Sequence, residues 1–186
     1  RAAKCSTAVA SNRSGGRPAA ANGAGEGGGI ARATKDGPVG WMLTGQKLPI
    51  LDRGTLAPAS GTVRGAYVLV DASPGAPPEL ILIATGSEVS LALAAHQQLG
   101  GEGIRSRVVS MPSWALFDAQ TTEYRASVFP AEVSARVRGA GGSRFGWGRY
   151  VGRAGAILGV NHLAAPEPGA VVRRTYGRAV AQRIAG

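Results

Sequence analysis

Few residues in this 186-residue chain are equipped for chemistry: one cysteine, two histidines and eleven aspartates and glutamates. Cys5 cannot close an internal disulfide, and with two distant histidines it makes no zinc set. His96 sits in helical sequence beside Gln97 and Gln98, where a solvated side chain is expected. His162 follows a strand and precedes a loop, a better position for chemistry, yet no acid or nucleophile stands beside it in the sequence. Asp118 and Glu123 diverge on one helix, so an acid–base carboxylate pair is not expected, and Asp118 reads as an N-cap. Arg136 and Arg138 share one face of a strand, the pattern of a solvated edge. The turn Ala84-Thr-Gly-Ser-Glu88 lies where open α/β sheets bind anions. It has a single glycine, however, and Glu88 repels phosphate, so a plain turn capped by Ser87 is expected. The stretch Gly23-Ala-Gly-Glu-Gly-Gly28 matches a dinucleotide loop in letters only, because Arg17 to Asn22 before it is no strand. No phosphate-binding G-x-x-x-x-G-K loop, G-x-S-x-G elbow or H-E-x-x-H pair occurs.

Composition narrows the classes further. The length suits about one domain. Apolar residues make up 44% of the chain, enough for a core. No apolar run approaches the ~20 residues of a membrane span, and no signal peptide opens the chain. It begins at Arg1 without Met, as a piece of a longer chain would. The net charge is +10, with 18 Arg against 3 Lys, and the basic excess lies at the two ends. Such a balance usually suggests nucleic acid. Here the middle of the chain is poor in arginine and aromatics are only 5%, so neither a continuous basic face nor a stacking platform is expected.

The elements that must position these residues follow from pattern. Residues 1–40 carry almost no large apolar side chains and read as disordered or as a degenerate remnant. A short strand is expected from Trp41, and residues 51–64 read as a linker. From Gly65 onward strands and helices alternate. Ala66–Val70 is a strand, and Glu79–Thr85 is a continuous apolar strand of the kind buried on both faces of a parallel sheet. A helix follows, with Val89, Leu91, Leu93, Ala94 and Leu99 inward, and Gly100-Gly101 should stop it. Strands are expected at Arg105–Met111, Val133–Val137 and Ala156–Val160. Helices are expected at Ala119–Val128, after Phe145 and from Ala170. The sum is an α/β fold with an open, mostly parallel five-stranded sheet and helices on both faces.

Several strings, in order, resemble the C-terminal region of the transketolase family. They are Gln46-Lys-Leu-Pro-Ile-Leu-Asp52, Pro78-Glu-Leu-Ile-Leu-Ile-Ala-Thr-Gly-Ser-Glu-Val89 and Arg107-Val-Val-Ser-Met-Pro-Ser-Trp114. Leu116-Phe-Asp-Ala-Gln120, Tyr124-Arg-Ala-Ser-Val-Phe-Pro130 and Phe145-Gly-Trp-Gly-Arg-Tyr-Val-Gly152 follow. Arg17-Pro-Ala-Ala-Ala-Asn22 resembles a string late in the family's pyrimidine-binding domain, although the amphipathic helix expected after it is replaced by glycine-rich sequence. The resemblance divides the chain into a remnant of that domain (1–40), its last strand (41–50), a linker (51–64) and the C-terminal α/β domain (65–186).

The resemblance implies a fragment of a cytoplasmic, homodimeric transferase that uses thiamine diphosphate with Mg²⁺ or Ca²⁺. The family moves a two-carbon ketol unit between sugar phosphates and keeps its cofactor loop and catalytic groups in segments outside this stretch. No catalytic, cofactor or metal residue is therefore expected here, and the chain alone should be inactive. One family position does fall inside it. Where the family has an Arg that clamps the substrate phosphate, this chain has Gly45, and Lys47, on the same face of an extended segment, is a possible substitute. A lost charge-assisted hydrogen bond of that kind weakens binding about 10- to 100-fold. Other departures are Gly139, where the family often has Glu, and Asn161-His-Leu-Ala-Ala-Pro166. Two other classes stand beside this reading. One is a stand-alone module that pairs with a separate cofactor-binding subunit. The other is a basic nucleic-acid binder whose affinity falls steeply with salt.

Overall fold

Alternation of strand and helix from Gly65 onward produces one layered sheet. The structure, a computed structural model, describes residues 4–5, 24–35, 39–40, 49–72, 76–140 and 146–159. Its elements are β1 (Lys4–Cys5), α1 (Ala24–Ala33), β2 (Val39–Gly40), a 3₁₀ helix (Ala59–Arg64), β3 (Tyr67–Val70), β4 (Leu80–Ala84), α2 (Glu88–Gly101) and β5 (Ser106–Ser110). Then come α3 (Trp114–Asp118), α4 (Thr122–Val128), β6 (Arg136–Ala140), α5 (Gly148–Val151) and β7 (Ala156–Gly159). The large sheet has the order β3-β5-β4-β6-β7. β3 is antiparallel to β5, and the remaining pairs are parallel. The expected strand places match four of these strands to within a residue or two.

β4 is central because every side chain on it is apolar, so water is excluded from both faces. All five of its residues are 0% exposed. Each large side chain buried there contributes about 1.5–3 kcal/mol. Ile81 and Ile83 point with Val109 and Met111 into a layer formed by Phe117, Val128, Phe129, Trp147 and Tyr150 from α3 to α5 and their loops. Leu80, Leu82 and Ala84 point the other way, with Val108 and Val137, onto Val89, Ala92 and Leu99 of α2. Helices therefore cover both faces.

Several local expectations give way to tertiary context. The inward stripe of α2 is Val89, Ala92 and Leu99, whereas Ala94 is exposed. The helix also runs through Gly100-Gly101 to a C-cap at Glu102, and Gly103 after it, with a φ of 80°, has the left-handed geometry that closes a helix. There Ile104 N–H donates to Leu99 O (2.9 Å) and Gly103 N–H to Gly100 O (3.1 Å). Ser87 is itself helical in backbone and caps nothing with its side chain, which instead lies 3.2 Å from Glu88 Oε1.

The expected fourth strand starts three residues late. Val133 turns inward with 5% exposure and its N–H donates to Pro130 O, so the ladder begins at Arg136. The helix expected over 119–128 begins at Thr122, and a separate short helix, α3, precedes it over Trp114–Asp118. Ser113 and Thr121, not Asp118, accept the cap bonds from Leu116 N–H and Tyr124 N–H. Within 1–40, α1 forms despite its glycines, packed against the 3₁₀ helix, so contact there outweighs weak propensity. The strand expected from Trp41, the helix expected from Ala170 and His162 lie outside the described residues.

Candidate functional site

The face carrying α3, α4 and α5 gathers Phe117, Phe129, Trp147 and Tyr150, with Trp114 and Tyr124 packed against them. β6 places Arg136 opposite Ile81 and Arg138 opposite Ile83, hence both arginines enter the aromatic layer rather than solvent. The solvated-edge expectation for this pair is thereby overturned: β6 is an interior strand, with β4 on one side and β7 on the other. Arg138 is 3% exposed, with its guanidinium carbon 4.1 Å from the Trp147 ring centre. Arg136 lies 5.5 Å from the Phe129 ring and donates to four carbonyls: Val133 (2.9 Å), Tyr150 (3.0 Å), Pro130 (2.8 Å) and Phe129 (3.4 Å). Burial lowers its pKa from the usual arginine value.

Aromatic rings carry the layer onward. Trp114 meets Trp147 edge-on at 4.9 Å, and Phe117 meets Phe129 edge-on at 5.4 Å. Asp118 ends α3 and accepts from Tyr150 Oη (2.7 Å) while Arg149 pairs with its other oxygen (3.0 Å). Burial and then that hydrogen bond raise the pKa of Tyr150. Glu123 is not part of this group: it lies in the first turn of α4, where its own N–H and the Thr121 hydroxyl lower its pKa. The two carboxylates thus lie on separate helices, not on the one helix expected, and Asp118 ends a helix instead of capping its start.

Across the sheet, His96 is half-buried rather than solvated. It shares the inward side of α2, and its Nδ1 lies 2.8 Å from Ser106 Oγ on β5. Ser106 is 1% exposed, so no substrate reaches that hydroxyl and the pair is not a nucleophile with its base. Desolvation lowers the His96 pKa, opposed by Ser106 and by the charge of Asp71. Asp71 itself forms a two-point pair with Arg107 (2.9 and 2.7 Å). Burial opposes its ionised form, but Arg107 and the Ala72 N–H prevail and lower its pKa.

A pH prediction arises from His96. Its folded pKa is below its unfolded value, so the neutral side chain stabilises the fold above the unfolded pKa and that stability fades as pH falls. The unfolding midpoint should drop between about pH 7 and pH 5 by more in the native chain than in His96→Gln. Equal slopes in the two denaturant series would refute it.

Elsewhere the expected site residues come to little. At the carboxyl end of β4, Thr85 Oγ1 is buried without a hydrogen-bond partner, while Glu88 occupies the first turn of α2. Among the described residues no three His, Cys, Asp or Glu side chains converge to hold a metal. None of the helices among them is long and apolar enough to cross a membrane. Gly45 and Lys47 lie outside the described residues. Sequence reasoning missed the arginine–aromatic layer, although the interleaving of Trp114, Phe117, Tyr124, Phe129, Trp147 and Tyr150 with arginines was a usable signal.

Comparison with known proteins places this geometry. A family model described as transketolase-like TK C-terminal domain matches residues 65–178. Transketolase from Halalkalibacterium halodurans is 40% identical over 156 residues, which cover 84% of this chain and 23% of that protein. Transketolase from Mycobacterium tuberculosis is 46% identical over 151 residues, 80% of this chain and 21% of its own length. Among solved structures, Pichia stipitis transketolase in complex with sedoheptulose 7-phosphate superposes with a TM-score of 0.78 at 29% identity, covering 98% of this chain and 25% of that one. Transketolase from Leishmania mexicana gives 0.75 at 30% identity, covering 97% and 26%. The chain thus spans about a quarter or less of the length of these relatives.

Proposed function

The chain belongs to the transketolase family through its C-terminal domain, and from that premise we propose that it is the C-terminal portion of an enzyme transferring a two-carbon ketol unit from a ketose phosphate to an aldose phosphate. Its own part in that enzyme is structural support of a cytoplasmic homodimer. The observation behind this reading is how the face around β6 uses its charges. Arg136 is spent on four carbonyls, and Asp118, Tyr150 and Arg149 on one another, leaving a rigid wall rather than a reacting centre.

Thiamine diphosphate with Mg²⁺ or Ca²⁺ supplies the carbanion chemistry in the intact enzyme. The described residues do not fit that group. Glu88 puts a carboxylate at the start of α2, where a diphosphate would have to approach, and no carboxylate, imidazole or thiol cluster could hold its metal among them. Binding of the cofactor belongs to the remaining length of the relatives.

The test is a coupled assay of the purified chain with xylulose 5-phosphate, ribose 5-phosphate, thiamine diphosphate and Mg²⁺. No turnover is expected, and turnover would overturn the supporting role. In the full-length enzyme, Gly45→Arg should lower KM for the sugar phosphate about 10- to 100-fold, because a guanidinium returns to the phosphate. An unchanged KM would remove position 45 from the binding site. A rise in KM with Lys47→Ala would identify Lys47 as the native substitute.

A further inference from the structure

Residues 51–57 are read from sequence as a linker, yet they lie against the domain through several distinct contacts. Leu51, Leu56 and Ala57 pack on the α2-side core around Leu69 and Tyr67. Ala57 N–H donates to Leu69 O at 2.9 Å, a strand-like bond to β3, which is the edge strand of the sheet. Asp52 folds the segment back on itself, accepting from Gly54 N–H at its carboxylate (2.9 Å) and from Leu56 N–H at its carbonyl (3.2 Å). Over this fold lies Arg53, whose Nη1 donates to Ala57 O at 2.6 Å and sits 3.5 Å from Tyr67 Oη. One guanidinium therefore grips both the far end of the segment and a ring rooted in β3. An edge strand otherwise presents open N–H and C=O groups, so a docked segment also shields it.

We propose that residues 51–57 form a strap latched by Arg53, which holds this segment against the edge strand β3 instead of leaving it a flexible linker. The strap opens as a unit of its own, separately from the sheet. Arg53 is a positioning residue in this device, acting through the Ala57 carbonyl and the Tyr67 hydroxyl. The inference stands on the contacts of the strap alone and does not depend on the reaction proposed above.

Amide hydrogen exchange on the full chain tests it, because the strap has its own reporters in Leu56 and Ala57 while Ile83 and Val109 report the sheet. In Arg53→Ala, exchange at Ala57 and Leu56 should accelerate about 10- to 100-fold, the loss expected for a hydrogen bond from a charged donor, with Ile83 and Val109 unchanged. Arg53→Lys, which keeps a donor for the Ala57 carbonyl, should recover most of the lost protection. Unchanged exchange at Ala57 in Arg53→Ala would show that the strap is held without its latch. Parallel acceleration of the strap and the sheet would show that Arg53 merely supports the whole domain. No recovery in Arg53→Lys would remove the Ala57 carbonyl as the point of grip. Any of these three results overturns the proposal.

Discussion

Replacing Gly65 with alanine should cost about 3–5 kcal/mol, a large share of a typical domain's stability. Two separate penalties combine at this residue. Its φ of 82° is a left-handed conformation that strains any side chain, by about 1–3 kcal/mol. A β-carbon there would also run into the backbone at Ser113 O and Phe117 N, and approach Leu116 carbonyl carbon to 2.8 Å. These are main-chain atoms at the start of α3 and cannot swing aside as a side chain could. The contact is itself structural, since Gly65 O accepts from Ser113 N–H at 2.9 Å and so ties the entry of β3 to α3. Gly103→Ala is the control: φ is 80° but nothing lies within 4 Å of the added carbon, so only the conformational cost applies. Urea unfolding of both variants separates the two effects. If Gly65→Ala loses no more than Gly103→Ala, the backbone collision is not real.

Arg136→Met should destabilise the domain by a comparable amount, about 3–5 kcal/mol. Methionine replaces the aliphatic stem, so the loss isolates the guanidinium rather than packing. Without it the carbonyls of Val133, Tyr150, Pro130 and Phe129 lose a shared donor in a half-buried site. Leaving such acceptors unsatisfied costs more than a single exposed hydrogen bond contributes. Arg136→Lys should recover only part of the loss, because an ammonium group cannot span four acceptors with the planar fork of arginine. The unfolding midpoint of each variant decides the matter. A change under about 1 kcal/mol for Arg136→Met would mean that water replaces the guanidinium at those carbonyls.

Both predictions concern residues whose importance the sequence conceals, and for different reasons. Gly65 looks like an ordinary first residue of the α/β domain, because what makes it irreplaceable is main chain some fifty residues further on, at Ser113 and Phe117. Arg136 and Arg138 look solvated, because charge in a strand usually marks an edge. They are tolerated inside the sheet because four carbonyls and two aromatic rings meet them there. His96 misleads in the same manner: neighbouring glutamines mark a wet face of α2, yet a helix turns far enough in one residue to place His96 against Ser106.

The core, by contrast, was plain from local pattern. Leu80–Ala84 is an unbroken apolar run, and only a strand covered on both faces can satisfy it. The helix after it and the strand that follows complete a unit whose parallel pairing is nearly compelled, as the pairing of Leu80–Ala84 with Ser106–Ser110 bears out. The family strings coincide with those same elements, which is why fold and kinship were legible together. The candidate site was less so: Gly45 and Lys47 rest on the resemblance alone, and Arg136, Arg138, Asp118 and His96 found structural partners that no spacing rule predicts.

What the amino-acid sequence determined by itself, then, was the α/β architecture, the central strand and membership of the transketolase family, since each depends on patterns carried within a few consecutive residues. What only the tertiary structure decided was the use of its charges: which arginines are buried, which carboxylate meets Tyr150, and how Arg53 holds residues 51–57 to β3. A charged side chain is stable inside a protein only when acceptors from distant parts of the chain converge on it. That convergence is a property of the packed sheet and helices and is written in no local stretch of sequence.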